Sequence, residues 1–199
     1  MAGRTVNIEM TDDKVAAIVQ SLWQPLEDGT IPNVFMVLDC ARDKRIEPMI
    51  TRSSLSQSCL YSGQLSYGLK RSSPHIVQLD PNTLFTHDLL ALGWGKSWGV
   101  FFIVPESVPI SVIRHNCRKI NMVKTEAQKI LVFRYQDPRV LRKFLPICDF
   151  KQLQFIFGKA THIAMESNTA QQIIRYSIDT QSQKLLSSNV EIQGKMREC

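Results

Sequence analysis

Two windows, residues 34–38 (VFMVL) and 100–104 (VFFIV), are apolar without a break. A run that is apolar at every position has no polar face to turn to water, which suits a strand covered on both sides at the centre of a sheet. The first run ends at Asp39; the second, read as a strand over 98–104, is closed by Pro105. Around these runs the pattern changes to helical spacing. Val15, Ile18, Val19 and Leu22 fall at i, i+3, i+4 and i+7 and predict a helix over 11–26, with Thr11 as N-cap and Asp12 and Asp13 in the first turn, where the helix dipole favours acids. Leu84, Phe85, Leu89 and Leu90 predict a second helix over 83–92, stopped by Gly93-Trp94-Gly95. Residues 108–120 read as a third, with Pro109 tolerated in its first turn.

Other segments carry weaker patterns. Residues 46–56 are compatible with a helix, 59–61 with a short strand, and 64–79 end on the extended-looking Pro74-His75-Ile76-Val77-Gln78-Leu79. Residues 121–125 and 129–135 predict two strands of a hairpin, with Leu131 and Phe133 alternating with Val132 and Arg134. Asp137 before Pro138 is an N-cap followed by proline at N1, the start of a helix through 145. Residues 150–157 predict a short helix ended by Gly158, and 162–166 and 173–179 alternate like strands before a polar, Ser/Gln-rich tail. Strands interleaved with helices imply an α/β fold. The expected architecture is a mixed central sheet with flanking helices and a small irregular C-terminal lobe. Residues 1–158 would form the platform and 159–199 the lobe.

Composition narrows the classes. With 199 residues, 44% hydrophobic and 21% charged, the chain resembles a globular protein and not a disordered or low-complexity one. The longest strongly apolar run, 100–104, is far short of the roughly 20 residues of a bilayer span, so no membrane-spanning role is expected. The polar first ten residues lack a secretory signal pattern, and cytoplasmic localisation is expected. Five cysteines (40, 59, 117, 148 and 199), with no C-x-x-C, argue against a disulfide framework or a cysteine-based zinc site. The net charge of +6 is concentrated. Between residues 111 and 143 lie Arg114, Arg118, Lys119, Lys124, Lys129, Arg134, Arg139, Arg142 and Lys143 against Glu126 and Asp137, a local balance of +7. Such a face attracts an acidic protein surface, nucleic acid or an anionic membrane.

Motifs for chemistry are sparse. No phosphate-loop pattern exists, and Gly95-Lys96-Ser97 lies between a helix and a strand, the reverse of the dinucleotide fingerprint. It reads as a tight turn flanked by Trp94 and Trp98. No G-x-S-x-G elbow occurs, and Cys117 lies two residues from His115, on a different helix face. His75, His87, His115 and His162 show no metal spacing, so no cofactor is expected. Asp39, at the carboxyl end of an apolar strand, stands where α/β enzymes often place an acid and equally where a buried carboxylate pairs with arginine. His115 and Arg118 share a helix face, Arg134 ends a strand, and Asp137-Pro138-Arg139 opens a helix. Arginine's planar fork suits carboxylates, so Arg118 or Arg134 is expected to pair with Asp39 or Asp137.

The same residues carry a resemblance. Phe133-Arg134-Tyr135-Gln136-Asp137-Pro138-Arg139-Val140-Leu141 resembles the F-R-[FY]-x-D-P-R-V-L signature of the type VI secretion effector adaptor family. Val37-Leu38-Asp39-Cys40-Ala41 resembles that family's opening strand, Trp94-Gly95-Lys96-Ser97-Trp98-Gly99-Val100-Phe101 its W-G-x-x-W-G-[IV]-F block, and Phe155-Ile156-Phe157-Gly158 its closing aromatic-glycine step. The blocks occur in order over residues 34–158. The family's His-Leu-Arg-Arg is here His115-Asn116-Cys117-Arg118, which keeps the histidine and the second arginine. The resemblance implies a non-catalytic cytoplasmic adaptor of a Gram-negative bacterium that holds a cognate toxic effector and loads it onto the spike tip protein VgrG. Asp39, His115, Arg118, Arg134, Asp137 and Arg139 would then be structural ion-pair residues. Trp94, Trp98, Gly99, Tyr135, Pro138, Phe157 and Gly158 would be packing residues. Arg114, Lys119, Arg142 and Lys143 would form the partner-binding face, with neither nucleic acid nor membrane as partner. The competing readings are a small α/β hydrolase or transferase using Asp39, His115 and Asp137, and a nucleic-acid binder using the +7 window with Phe133, Tyr135 and Phe144.

Overall fold

A computed structural model describes residues 10–124 and 130–192. Glu126, Lys129, Cys199 and the polar first nine residues lie outside them, as do parts of the expected hairpin and of the C-terminal tail. The central element is a seven-stranded sheet of order β2-β3-β1-β4-β7-β8-β9. Its strands are β1 (Asn33–Leu38), β2 (Gln57–Cys59), β3 (His75–Leu79), β4 (Gly99–Val104), β7 (His162–Glu166), β8 (Gln172–Asp179) and β9 (Lys184–Glu191). A separate hairpin pairs β5 (Met122–Lys124) with β6 (Ile130–Val132). The helices are α1 (Asp12–Leu22), α2 (Ile46–Arg52), α3 (Tyr67–Ser72), α4 (Leu84–Gly93), α5 (Ile110–Ile120), α6 (Pro138–Phe144) and α7 (Phe150–Phe157). Among the described residues no helix is long and apolar enough to cross a membrane.

The two uninterrupted apolar runs are the two innermost strands. β1 and β4 pair antiparallel over Asn33–Leu38 and Val104–Gly99; β4 is the middle strand of the seven and β1 is third from the β2 edge. Strand periodicity then divides one apolar run between two cores. Val34, Met36 and Leu38 join Phe101 and Ile103 under α1, α2 and α4, where Ile18, Leu22, Ile46, Ile50, Leu89 and Leu90 are buried. Phe35 and Val37 join Val100, Phe102 and Val104 under α5, α6 and α7, against Ile113, Cys117, Leu141, Leu153 and Ile156. The helix ends follow their capping residues. The Thr11 side chain accepts from Lys14, Asp137 accepts from the Arg139 backbone ahead of Pro138, and Asp149 and Gln152 form a reciprocal capping box.

The α/β class holds, and the sheet is more uniform than expected. Every described ladder is antiparallel, so the sheet is not mixed. The reason is strand order: β1 and β2 run the same way, as do β3 and β4, but each of these pairs is separated in the sheet by a strand of opposite direction. Residues beyond Gly158 are also regular. β7, β8 and β9 extend the same sheet, and Ile163, Met165 and Tyr176 enter one core while Ala164 and Ile173 enter the other. A boundary at 158/159 therefore does not part the hydrophobic core, although Gly158 does end α7. Its φ is +57°, and a Cβ there would lie 2.6 Å from the Asn116 amide.

Gly99 sets the spacing of the central pair. A Cβ on it would stand 2.3 Å from the Val37 carbonyl oxygen. That atom is backbone inside the β1–β4 ladder and cannot swing aside. Gly99→Ala is expected to destabilise the chain by about 3 kcal/mol, read as a lower midpoint in urea unfolding with the slope unchanged.

Candidate functional site

The fold gathers three buried carboxylates at one end of the sheet. β1 and β7 run in the same direction, each antiparallel to β4 between them. Their carboxyl ends therefore lie together, beside the turn that leads from α4 into β4. Asp39 follows β1, Glu166 ends β7, and Asp137 caps α6; they are 1%, 7% and 3% exposed. A buried carboxylate is costly unless paired or hydrogen-bonded, and each of these has a different partner.

Asp39 is held by Arg134, whose guanidinium donates to Oδ2. The Ala41 backbone N–H donates to Oδ1 at 3.2 Å, and the Asp39 N–H donates to the Trp98 carbonyl at 2.8 Å. Arg134 is half exposed, so its outer edge stays in water. Asp137 takes a two-pronged contact from Arg139, Nε at 3.0 Å and Nη2 at 2.6 Å, and also caps the Arg139 N–H at 2.9 Å. Burial alone would push its carboxyl up, but these contacts outweigh burial and hold it below the usual carboxylate range. Glu166 is cradled by backbone. The N–H groups of Gly95 and Ser97 donate to Oε2 and Oε1 at 2.6 and 2.9 Å, with the Ser97 hydroxyl at 3.3 Å. Here burial dominates and the carboxyl is raised, the hydrogen bonds offsetting part of that shift.

The turn 95–97 was read in sequence as a plain tight connection. It is an anion-binding turn, with Gly95 and Ser97 both at positive φ, and its anion is the chain's own Glu166. Sequence reasoning missed Glu166. The available signal was the one that marked Asp39, a carboxylate ending a buried strand. Two indoles close the turn from below: Trp94 donates to the Ala170 carbonyl at 2.7 Å, and Trp98 is 2% exposed with the Arg45 guanidinium 5.4 Å from its ring centroid.

The remaining expected site residues divide. Arg118 does not pair with either aspartate. It donates to the carbonyls of Cys59, Leu60 and Tyr61 at 3.2–3.3 Å, anchoring the segment after β2 to α5. Its place in the last turn of α5 puts the backbone carbonyls at the end of β2, not acids, within reach. His115 is exposed on α5 and joins none of the three carboxylates, so the Asp39, His115 and Asp137 set does not form a hydrogen-bonded constellation. Tyr135 is fully buried, its hydroxyl donating to the Cys117 carbonyl at 3.1 Å and its ring edge-on to Phe102, while Phe133 packs on Phe144 at 4.6 Å. Of the expected partner-binding cations, Lys119 and Lys143 are exposed and Arg114 is half-buried. Arg142 is engaged: it donates to the Glu166 carbonyl at 2.6 Å and to the Asn168 side chain. Burial pushes the Cys117 thiol up to about 12, and the Cys40 thiol up as well.

What remains outward at this end is cationic. Arg42, whose guanidinium donates to the Lys96 carbonyl, Lys96 itself, and the outer edges of Arg134 and Arg139 ring the buried acids. The arrangement can fix backbone and present positive charge.

Two outcomes test this geometry. Arg134→Gln should cost about 2 kcal/mol, less than a fully buried pair because Arg134 is half exposed. In the Asp39→Asn background the same change should cost markedly less, a coupling read by a denaturation cycle. Glu166→Ala should cost about 2 kcal/mol by stranding the Ser97 N–H, and should speed hydrogen exchange at Ser97 and Trp98 above that of the β1–β3 ladder.

Comparison with known families finds a match over residues 34–154 to a model described as a domain of unknown function (DUF4123). The matched stretch holds Asp39, the Trp94–Gly99 turn and the Arg134–Arg139 block. No curated protein and no solved structure matches the chain.

Proposed function

The chain belongs to the DUF4123 family, one linked to type VI secretion adaptors, and from that premise we propose that it is a non-catalytic adaptor. It holds a cognate toxic effector in the cytoplasm and delivers it to the spike tip protein VgrG. The observation that carries this reading is the state of the signature residues. Asp39, Asp137 and Arg139 are each taken up in a structural contact within the chain, and the surface they leave outward is a rigid rim of cations. Fixed charges on a preorganised scaffold suit recognition of a macromolecular surface: they steer encounter and set orientation more than they add affinity.

The division of labour follows from where the family match lies. The cationic rim belongs to residues 34–154, the part shared with the family, and suits the partner common to such systems, the spike. Residues beyond 154 build β7, β8 and β9 and suit the cognate effector. Because these strands complete the sheet, specificity resides in their surface and not in a detachable lobe.

The test is a tagged pull-down from the native cell with the wild-type chain and an Arg42→Glu/Lys96→Glu variant. Both substituted side chains are exposed and donate to backbone carbonyls, with Lys96 also 6.0 Å from the Trp98 ring centroid, so folding should persist, with an unchanged circular dichroism spectrum. The wild type should retain an effector and the spike; the variant should keep the effector and lose the spike at least tenfold. A wild-type chain that retains neither would overturn the adaptor reading, and equal retention of the spike by both would overturn the role of the rim.

A further inference from the structure

A cleft of about 890 Å³ opens at the other end of the sheet, where β4 ends and β7 begins. That volume lies at the upper end of the range for ligand clefts, about 300–1,000 Å³, room for a short segment of another chain. Its apolar lining comes from Leu26, Pro105, Phe157, Ile178 and Leu186, drawn from both sides of the sheet. Leu186 is 50% exposed, a large apolar side chain left in water at the mouth. The charges of the lining all have one sign. Among the described residues Glu27, Asp28 and Asp179 line the cleft and no lysine or arginine does, in a chain with 24 basic and 18 acidic residues.

Two of these carboxylates, Asp28 and Asp179, are built to stay charged. Asp28 accepts from the Thr30 hydroxyl and N–H at 2.6 and 3.0 Å, which holds it below the usual range. Asp179 accepts from the Ser182 hydroxyl at 2.5 Å and the Gln181 N–H at 2.9 Å, with the same direction of shift. Both sit in turns that their own bonds fix, so an incoming cation meets oriented oxygens. The cleft is also almost wholly outside the family match: of its lining, only Pro105 and Gln154 lie within 34–154.

We propose that this cleft is a docking site for a basic amphipathic segment of a partner protein, with apolar side chains seated on Leu26, Ile178 and Leu186 and lysines or arginines against Glu27, Asp28 and Asp179. Apolar anchors supply the affinity, and the acidic rim selects the sign of the segment. An acidic segment would be repelled here. The assignment of this partner as the effector rests on the adaptor reading, whereas the chemistry of the cleft stands on its own lining.

The experiment uses the full isotope-labelled chain and two short synthetic amphipathic helices, one with leucines opposite lysines and the other with leucines opposite glutamates. The Leu–Lys peptide should give saturable amide shifts centred on Thr161, Ile178, Thr180 and Leu186, and the Leu–Glu peptide should give none there. Glu27→Gln/Asp28→Asn/Asp179→Asn, conservative changes at two exposed positions and one half-buried position, should weaken the Leu–Lys peptide at least tenfold. No binding of the Leu–Lys peptide, equal binding of both, or shifts centred away from the cleft would each overturn the proposal. These results are independent of the pull-down, so a cleft that binds the Leu–Lys peptide in a chain that retains no effector would separate the two readings.

Discussion

The burial of three carboxylates at one end of a sheet is the constraint from which the rest of this structure follows. Asp39, Glu166 and Asp137 cannot sit there charged unless each is answered, and the answers fix backbone elements far apart in the chain. Arg134 ties the segment before α6 to the end of β1. The Gly95 and Ser97 N–H groups tie the entry of β4 to the end of β7. Arg139 closes the cap of its own helix. Remove one acid and its partner loses its reason to be placed; remove one partner and a charge is stranded in a low-dielectric wall. The signature residues are thus tied into contacts that fix one part of the backbone against another.

This explains the uneven exposure of the charged groups. The carboxylates are buried, whereas Arg134 and Arg139 remain about half exposed. Long arginine side chains cover apolar surface with their stems and keep part of the guanidinium wet, which lowers the desolvation cost on the cationic partner. The result is a surface that is positive outside because it is negative inside. Arg134 and Arg139 are each held by an internal acid, so they offer a fixed direction to a partner and lose little side-chain entropy when one docks.

Much of this was legible in the residues and some was not. Asp137-Pro138 and the Asp149 to Gly158 stretch state their helix limits through local capping chemistry, and the structure follows them. The unbroken runs after Asn33 and Gly99 announce the innermost strands because only a doubly covered strand tolerates them. A local pattern cannot show which acid meets which base. Arg134 lies 95 residues from Asp39 and Glu166 lies 69 from Ser97, and such pairs are decided by strand order. Arg118 shows the same limit: sequence marked it for a carboxylate, but its helix face looks onto three backbone carbonyls. The all-antiparallel arrangement was hidden for a related reason, since a helix between two strands serves a reversal as readily as a crossover.

Charge also acquires a direction that composition conceals. A net +6 suggests a basic molecule, yet cations ring the end of the sheet where β4 begins and Glu27, Asp28 and Asp179 line the cleft where β4 ends. The six residues of β4 separate the two by about 20 Å. At physiological ionic strength fields decay over about 8 Å, so each end acts on a nearby surface with little interference from the other. One end can attract an acidic surface while the other attracts a basic segment. Neither needs the chain to change shape, because the central ladder between them is the most deeply buried part of the molecule. A body with opposite charges at its two ends can hold an acidic surface and a basic segment at once, which is what the proposed adaptor role requires.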